Sequence, residues 1–325
     1  MKAVSGVASH LASRVASHVA SLGECMVEFS QSPDGGFQRG FGGDTLNTAL
    51  YLARLGVATS YVTALGDDAL SDAMLAAWRG EGINTDLVVR AAGRLPGLYL
   101  IERDTQGERT FLYWRDRAPA REYFELADDK SLERLTRFDW LYLSGITLSL
   151  YGDEGRARLG EVLSTTRKNG GKVVFDGNYR PRGWTDAETA RRAFSAIRPL
   201  IDLALPTFED EQALFGDQEL SQCIDRYRGS GVKEIVVKRG PHGCVVAGDG
   251  DPIEVPPQDV LKPIDTTAAG DSFNAGYLAA RINGASPRHA ALAGHRLAGA
   301  VIMSPGAVIP RDHMPRNVLA GGEDQ

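Results

Sequence analysis

The chain has 325 residues, 43% of them hydrophobic and 24% charged, which is ample material for one large or two ordinary domains and excludes a wholly disordered chain. No run approaches the roughly 20 consecutive apolar residues that cross a bilayer, and the formal net charge of −6 argues against a surface that tracks nucleic acid. Cys25, Cys223 and Cys244 are scattered and lack CxxC spacing, so small buried thiols in a reducing, cytoplasmic setting are expected rather than a disulfide scaffold or structural zinc site.

Residues 1–18 are rich in Ala, Ser and Val, echo Val-Ala-Ser-His/Arg, and show no apolar core leading to a cleavage segment. They read as a non-catalytic extension, with a first strand at about 20–29. Apolar residues at Leu46, Ala49, Leu50 and Ala53 predict a helix over 44–55, closed by Gly56. A short strand at 59–64 and a helix at 70–78 follow. Leu98, Leu100 and Thr110–Trp114 bracket a polar turn and predict a hairpin over 98–101 and 110–114, an excursion from the main sheet that forms part of a lid. Core strands are expected at 140–144, 172–176, 200–205 and 234–238, with helices at 153–168 and 187–197 between them. Such βαβ alternation requires a largely parallel sheet covered by helices.

The strongest chemical signal is DTTAAGDSFNAG at 265–276. Small residues permit a tight turn, and the helix expected at 272–281 offers free N–H groups where a phosphate is favoured. Asp271 suits a base for an attacking hydroxyl, and equally a helix cap. The chain has no GxxxxGK[ST] and no strand-linked GxGxxG, against a Walker loop or a dinucleotide oxidoreductase. KRGPHG at 238–243 is a turn between strands or a loop beside a nucleotide. Asp44, in GGDTLN at 42–47, either caps its helix or reads a substrate hydroxyl. Arg115 and Arg180 are candidate forks for a carboxylate or phosphate, although a lone arginine is usually a surface charge. His10 and His18 fall in the extension, and His289 and His295 read as ordinary helix-face residues.

From about residue 19 to 315 the chain resembles the PfkB-type, or ribokinase-like, carbohydrate kinases. GGDTLNTA at 42–49 and DTTAAGD at 265–271 carry the resemblance. The wider strings GECMVEFS, RGFGGDTLNTALYLARLG, LPGLYLIERDTQGERTFLYWR, YLSGITLS and FDGNYRPRGW are similar to its 2-dehydro-3-deoxygluconokinase branch. The resemblance implies an α/β fold: a three-layer α/β/α core over 19–315 with a small β-rich lid from about 30–42 and 96–120, then a polar tail at 316–325. It also implies ATP-dependent phosphorylation of 2-dehydro-3-deoxy-D-gluconate at the C6 hydroxyl, in Entner-Doudoroff or uronate catabolism. The cofactors are ATP and Mg²⁺, with a monovalent cation such as K⁺ as a further family feature. The partners are then a small sugar acid and ATP, with no nucleic acid or membrane, and a homo-oligomer through the lid is compatible.

Carried onto this sequence, the resemblance makes Asp271 the catalytic base and Ala268, Ala269, Gly270 and Asp271 the anion hole. Gly43, Asp44, Asn47, Tyr99, Tyr113, Arg115 and Arg180 join Asp271 on the sugar-acid side. Asn178, Arg180, Lys238, Gly240 and Gly243 join Ala268, Ala269 and Gly270 on the nucleotide side. Two positions depart from the family pattern. Ala268 stands where many relatives have glycine, which is tolerable if its φ stays negative. Thr207 and Asp210 replace the metal-associated Asn-x-x-Glu, so Asp210 is the candidate to orient water around Mg²⁺, with Glu209 and Glu211 in reserve. The rivals are a kinase for another sugar or ketogluconate, and a sugar-acid-binding regulatory protein without catalysis. Arg115 and Arg180 favour an acid, because a neutral sugar gives a buried guanidinium no partner.

Overall fold

The computed structural model describes residues 17–32, 34–103, 109–259 and 261–320; most of the N-terminal extension and the hairpin turn lie outside them. The described strands, in chain order, are β1 (His18–Leu22), β2 (Met26–Gln31), β3 (Phe37–Gly42), β4 (Ala58–Gly66), β5 (Val88–Ala91), β6 (Leu98–Arg103), β7 (Arg109–Trp114), β8 (Trp140–Ser144), β9 (Lys172–Asp176), β10 (Leu203–Ala204), β11 (Glu234–Lys238), β12 (Cys244–Ala247) and β13 (Ile253–Val255). Nine form one sheet in the order β13-β12-β11-β10-β9-β8-β1-β4-β5. From β11 to β5 each neighbouring pair is parallel, and β12 and β13 add an antiparallel edge.

Alternate side chains of these strands enter two different cores, as a pleat covered on both faces requires. Val19, Tyr142, Val174 and Val236 pack with the helices Asp44–Arg54, Ala69–Gly80, Ala269–Ile282 and Pro287–Val301. Their neighbours Ala20, Leu141, Val173 and Ile235 pack on the other side with Asp153–Lys168, Ala187–Ile197 and Leu220–Arg228. The result is the expected α/β/α core. Asp68, Asp186 and Ser286 each accept a backbone N–H at a helix start, satisfying donors the helix leaves free. No helix among the described residues is long and apolar enough to cross a membrane. All three cysteines are buried and free.

The second sheet is small, in the order β3-β2-β6-β7. β2 pairs antiparallel with β3 and parallel with β6, and β6 and β7 form the predicted hairpin with Tyr99 opposite Tyr113. It has a minor cluster of its own, Met26, Tyr99 and Ile101, and Val27 of β2 enters the core of the main sheet, with Phe29, Phe41 and Leu98 packed against it.

Three expectations need correction. The strand placed at 20–29 is two: β1 lies in the main sheet between β8 and β4, and β2 opens the lid. Gly23 permits the departure, because a Cβ there would stand 2.2 Å from Thr45 Oγ1. The strand expected at 200–205 shrinks to Leu203–Ala204 because Arg198–Leu200 forms a 3-10 turn containing Pro199. Finally, the helix expected to begin at residue 272 begins at Ala269, so Asp271 sits within its first turn. In the expected tail, Val318 is buried, and Arg296 donates to the carbonyls of Val318 and Ala320.

Candidate active site

Parallel strands present their carboxyl ends on one edge of the sheet, where open α/β folds place ligands. Here β9 ends on Asp176 and β11 on Lys238, and the first turns of Asp44–Arg54 and Ala269–Ile282 face the same edge. Between them lies a cavity of about 1050 Å³. Its walls include Asp44, Asn178, Arg180, Asp210, Lys238, Gly240, Gly243, Ala268, Ala269, Gly270 and Asp271, which brings together most of the positions singled out in the sequence. Gly43, Asn47, Tyr99, Tyr113 and Arg115 do not line it.

Asp271 is not a helix cap. That position is Ala268, with no side-chain cap bond, and the Asp271 carboxylate instead accepts 2.9 Å from Asn47 Nδ2. The next residue, Thr48, donates 3.2 Å to the Asp271 carbonyl, so one turn of Asp44–Arg54 grips both the side chain and the backbone. Burial, reinforced by repulsion from Asp44, raises the Asp271 carboxyl from 3.8 to about 8, against the Asn47 hydrogen bond and the Lys238 charge. Asp44 does not cap its helix either; Gly43 holds that position, and Asp44 accepts 2.6 Å from Asn178 Nδ2. Burial raises its carboxyl as well. Gly43 is obligatory on steric grounds, since a Cβ would meet the Glu24 carbonyl oxygen at 2.2 Å.

Ala268 overturns the expectation of a negative φ: its φ is +58°, in the left-handed region. The backbone must reverse there to start the helix directly at Ala269, whose N–H donates 3.2 Å to the Thr266 carbonyl, and this brings Ala268, Ala269 and Gly270 onto the cavity wall. A non-glycine residue in that conformation costs about 1–2 kcal/mol.

The two arginines expected to converge on a carboxylate are each tied to an internal acid. Arg115 is ion-paired with Glu24, which is only 3% exposed, and burial raises the Glu24 carboxyl despite that partner. The guanidinium therefore has a partner without any ligand, which removes the argument that a neutral sugar would strand it. Arg180 Nη1 donates 3.0 and 3.1 Å to the two Asp210 oxygens. On the lid, the Tyr99 hydroxyl donates to Glu28, and Tyr113, 46% exposed, stacks on Phe111.

Several residues escaped the sequence reading. Asp176, itself on the cavity wall, and the buried Asn274 both accept from Lys238 Nζ. Asp176 ends a strand in FDGNYR, and Asn274 follows Asp271 by three residues; strand-end position and helical spacing were the available signals. Glu24 lay unremarked in GECMVEFS. His295, expected on an ordinary helix face, belongs to the cavity wall, with Nε2 2.9 Å from the Val255 carbonyl.

The profile of the pfkB family carbohydrate kinases matches residues 16–314. The chain belongs to that family. It is 48% identical over 306 residues to 2-dehydro-3-deoxygluconokinase of Dickeya dadantii, covering 92% of this chain and 98% of that one. The crystal structure of 2-dehydro-3-deoxygluconokinase from Thermotoga maritima superposes with a TM-score of 0.78 at 24% identity, covering 90% and 96% of the two chains. A putative ribokinase II from Escherichia coli, solved in complex with ATP and Mg²⁺, gives 0.77 at 20% identity over 90% and 94%. The last two likenesses concern the fold.

Proposed function

We propose that the protein transfers the γ-phosphoryl group of ATP to the C6 hydroxyl of 2-dehydro-3-deoxy-D-gluconate. The observation that carries the reading is the Asp271 carboxylate, held by Asn47 in a first helix turn that lines the cavity. A carboxyl raised to about 8 has the basicity to take a proton from an alcohol as its oxygen attacks. The N–H group of Gly270, in the turn where Ala269 N–H donates 3.2 Å to the Thr266 carbonyl, stabilises charge on the transferred group, and positioning supplies the remainder of the acceleration. The substrate assignment rests on the 48% identity to a 2-dehydro-3-deoxygluconokinase over nearly both whole chains.

Arg115 supports an acidic substrate in a modified way. Its Nε is buried with no hydrogen-bond acceptor among the described residues, a condition that an incoming carboxylate relieves. Mg²⁺ fits the donor set on the cavity wall, because that ion is commonly held by one or two carboxylates together with substrate phosphates. Asp210 is the candidate, with both oxygens within hydrogen-bond distance of Arg180 Nη1, which leaves their remaining lone pairs for the ion's water shell. When bound, the ion neutralises phosphate charge. Glu211 is unsuited to this task, being buried against Arg226 and Tyr227 and off the cavity wall.

The test is ADP release with a panel of 2-dehydro-3-deoxygluconate, gluconate, fructose and ribose. The keto-deoxy acid should exceed the neutral sugars in kcat/KM by at least about 100-fold, the discrimination expected of about 3 kcal/mol of differential binding. Equal or greater activity on fructose or ribose would favour a neutral-sugar kinase, for which the internal Glu24–Arg115 pair already supplies charge balance.

A further inference from the structure

Lys238 is 7% exposed at the end of β11, and its ammonium donates 3.1 Å to Asp176 Oδ1 and 3.0 Å to Asn274 Oδ1. Asn274 Nδ2 closes the ring with a 2.7 Å bond to Asp176 Oδ2 and also reaches the Tyr142 hydroxyl at 3.0 Å. The Thr48 hydroxyl lies 3.2 Å from both the Tyr142 hydroxyl and the Asp271 carbonyl. A continuous buried network therefore joins Lys238 to the backbone of Asp271.

An ammonium has three donors. Two are engaged in the ring, and the third has no acceptor among the described residues. Its surroundings are defined by Gly270, where an added Cβ would stand 3.6 Å from Lys238 Nζ. The charge thus lies against the first turn of Ala269–Ile282, on the wall of the cavity. A buried ion pair is a poor device for stability alone, since apolar residues of equal volume usually serve as well or better.

We propose that Lys238 is a catalytic cation and that Asp176 and Asn274 are the positioning residues that aim it at the transferring phosphoryl group. This rests on the kinase reading above. In the step, the sugar hydroxyl oxygen bonds to the γ-phosphorus and its proton passes to Asp271. The bond from the γ-phosphorus to the β–γ bridging oxygen breaks, and that electron pair stays on ADP. Lys238 keeps its protons and stabilises the charge gathering on the bridging oxygen, where a fixed donor in a water-poor site acts most strongly.

Lys238→Met alone leaves Asp176 uncompensated, so it is paired with the double variant Lys238→Met/Asp176→Asn, which removes both charges. In the double variant kcat should fall by about 10²–10³-fold, while the calorimetric Kd for MgATP stays within about threefold, a difference of under about 0.7 kcal/mol. Asp176→Asn, which keeps shape and loses charge, should lower kcat by about 10–100-fold with the MgATP KM nearly unchanged, the signature of a misaligned group. If the double variant keeps more than about a third of wild-type kcat, or loses only MgATP affinity, Lys238 is not a catalytic cation. If Asp176→Asn lowers Tm but leaves kcat intact, Asp176 is structural and the positioning role fails. A wild-type protein that releases no ADP with any acceptor overturns the kinase reading itself, and this role with it.

Discussion

Asp271 is both the proposed base and a source of instability, and the same burial accounts for both. Unfolded, its carboxyl titrates near 3.8; folded, burial and Asp44 hold it near 8. Below the lower value both states carry the proton, and above it the unfolded chain releases the proton while the folded chain retains it. Folding then takes up a proton, so this residue's contribution to stability falls as pH rises from about 4 to about 8. Asp271→Asn should therefore raise Tm at pH 8 by several degrees, at about 2–4 °C per kcal/mol, and the gain should vanish towards pH 4. Turnover should fall by about 10²–10⁴-fold. Scanning calorimetry at pH 4, 6 and 8 beside a turnover assay checks both; a lower Tm at pH 8 would mean that the carboxylate is ionised and stabilising. Ala268 stores strain of a different kind. With φ at +58°, Ala268→Gly should gain about 0.5–1 kcal/mol, the relief of left-handed strain less the extra freedom of the unfolded glycine, read as a Tm rise of about 1–4 °C.

At the scale of elements, the proposed chemistry depends on how the helix Asp44–Arg54 meets the helix Ala269–Ile282. Asn47 and Thr48 reach Asp271 across more than 200 residues of sequence, and no local pattern reveals that they do. Asn47→Ala should free the carboxylate to rotate, lowering kcat by about 10–100-fold, because small misplacements of a reacting group have large effects on rate. The helix itself should survive, since alanine is the better helix former; circular dichroism and steady-state turnover separate the two effects. What could be read in the sequence follows the same division between local and distant. Apolar strand segments, helix faces and the two glycine motifs are local, and they placed the main strands, the helices and the two helix starts that face the cavity, while the resemblance supplied the other wall residues. The division of residues 20–29 between two sheets was hidden because sheet membership depends on partners far along the chain. The Arg115 fork looked free because Glu24, its partner, lies 91 positions earlier. Asp176 and Lys238 were visible as strand ends, but not as a pair.

The whole molecule joins a large body to a small one. The nine-stranded sheet is packed on both faces by two extensive apolar clusters. The lid sheet has a small cluster of its own, Met26, Tyr99 and Ile101 with part of Phe111, and sends Val27 into the main core, while it exposes Leu112, Tyr113 and Trp114, the last at 59%. Local opening is governed by the apolar surface that holds each unit, so the lid should open at far lower free energy than the core. The lid also meets the core through Arg115 and Glu24. A ligand that satisfies the buried Arg115 donors adds to that contact and stabilises the closed arrangement by mass action, about 2.7 kcal/mol at 100 times its Kd. In hydrogen-exchange mass spectrometry, peptides from β2, β3 and β6 should therefore exchange well before those from β1, β8 and β9. Saturating 2-dehydro-3-deoxygluconate should slow the lid peptides by up to about 100-fold, the kinetic equivalent of that stabilisation, and leave the core peptides almost unchanged. ATP alone, expected on the Lys238–Gly243 side of the cavity, should leave the lid exchanging fast. Protection spread evenly over both sheets by either ligand would show that the lid is not a separate unit, and that the Arg115 contact does not couple it to the sugar acid.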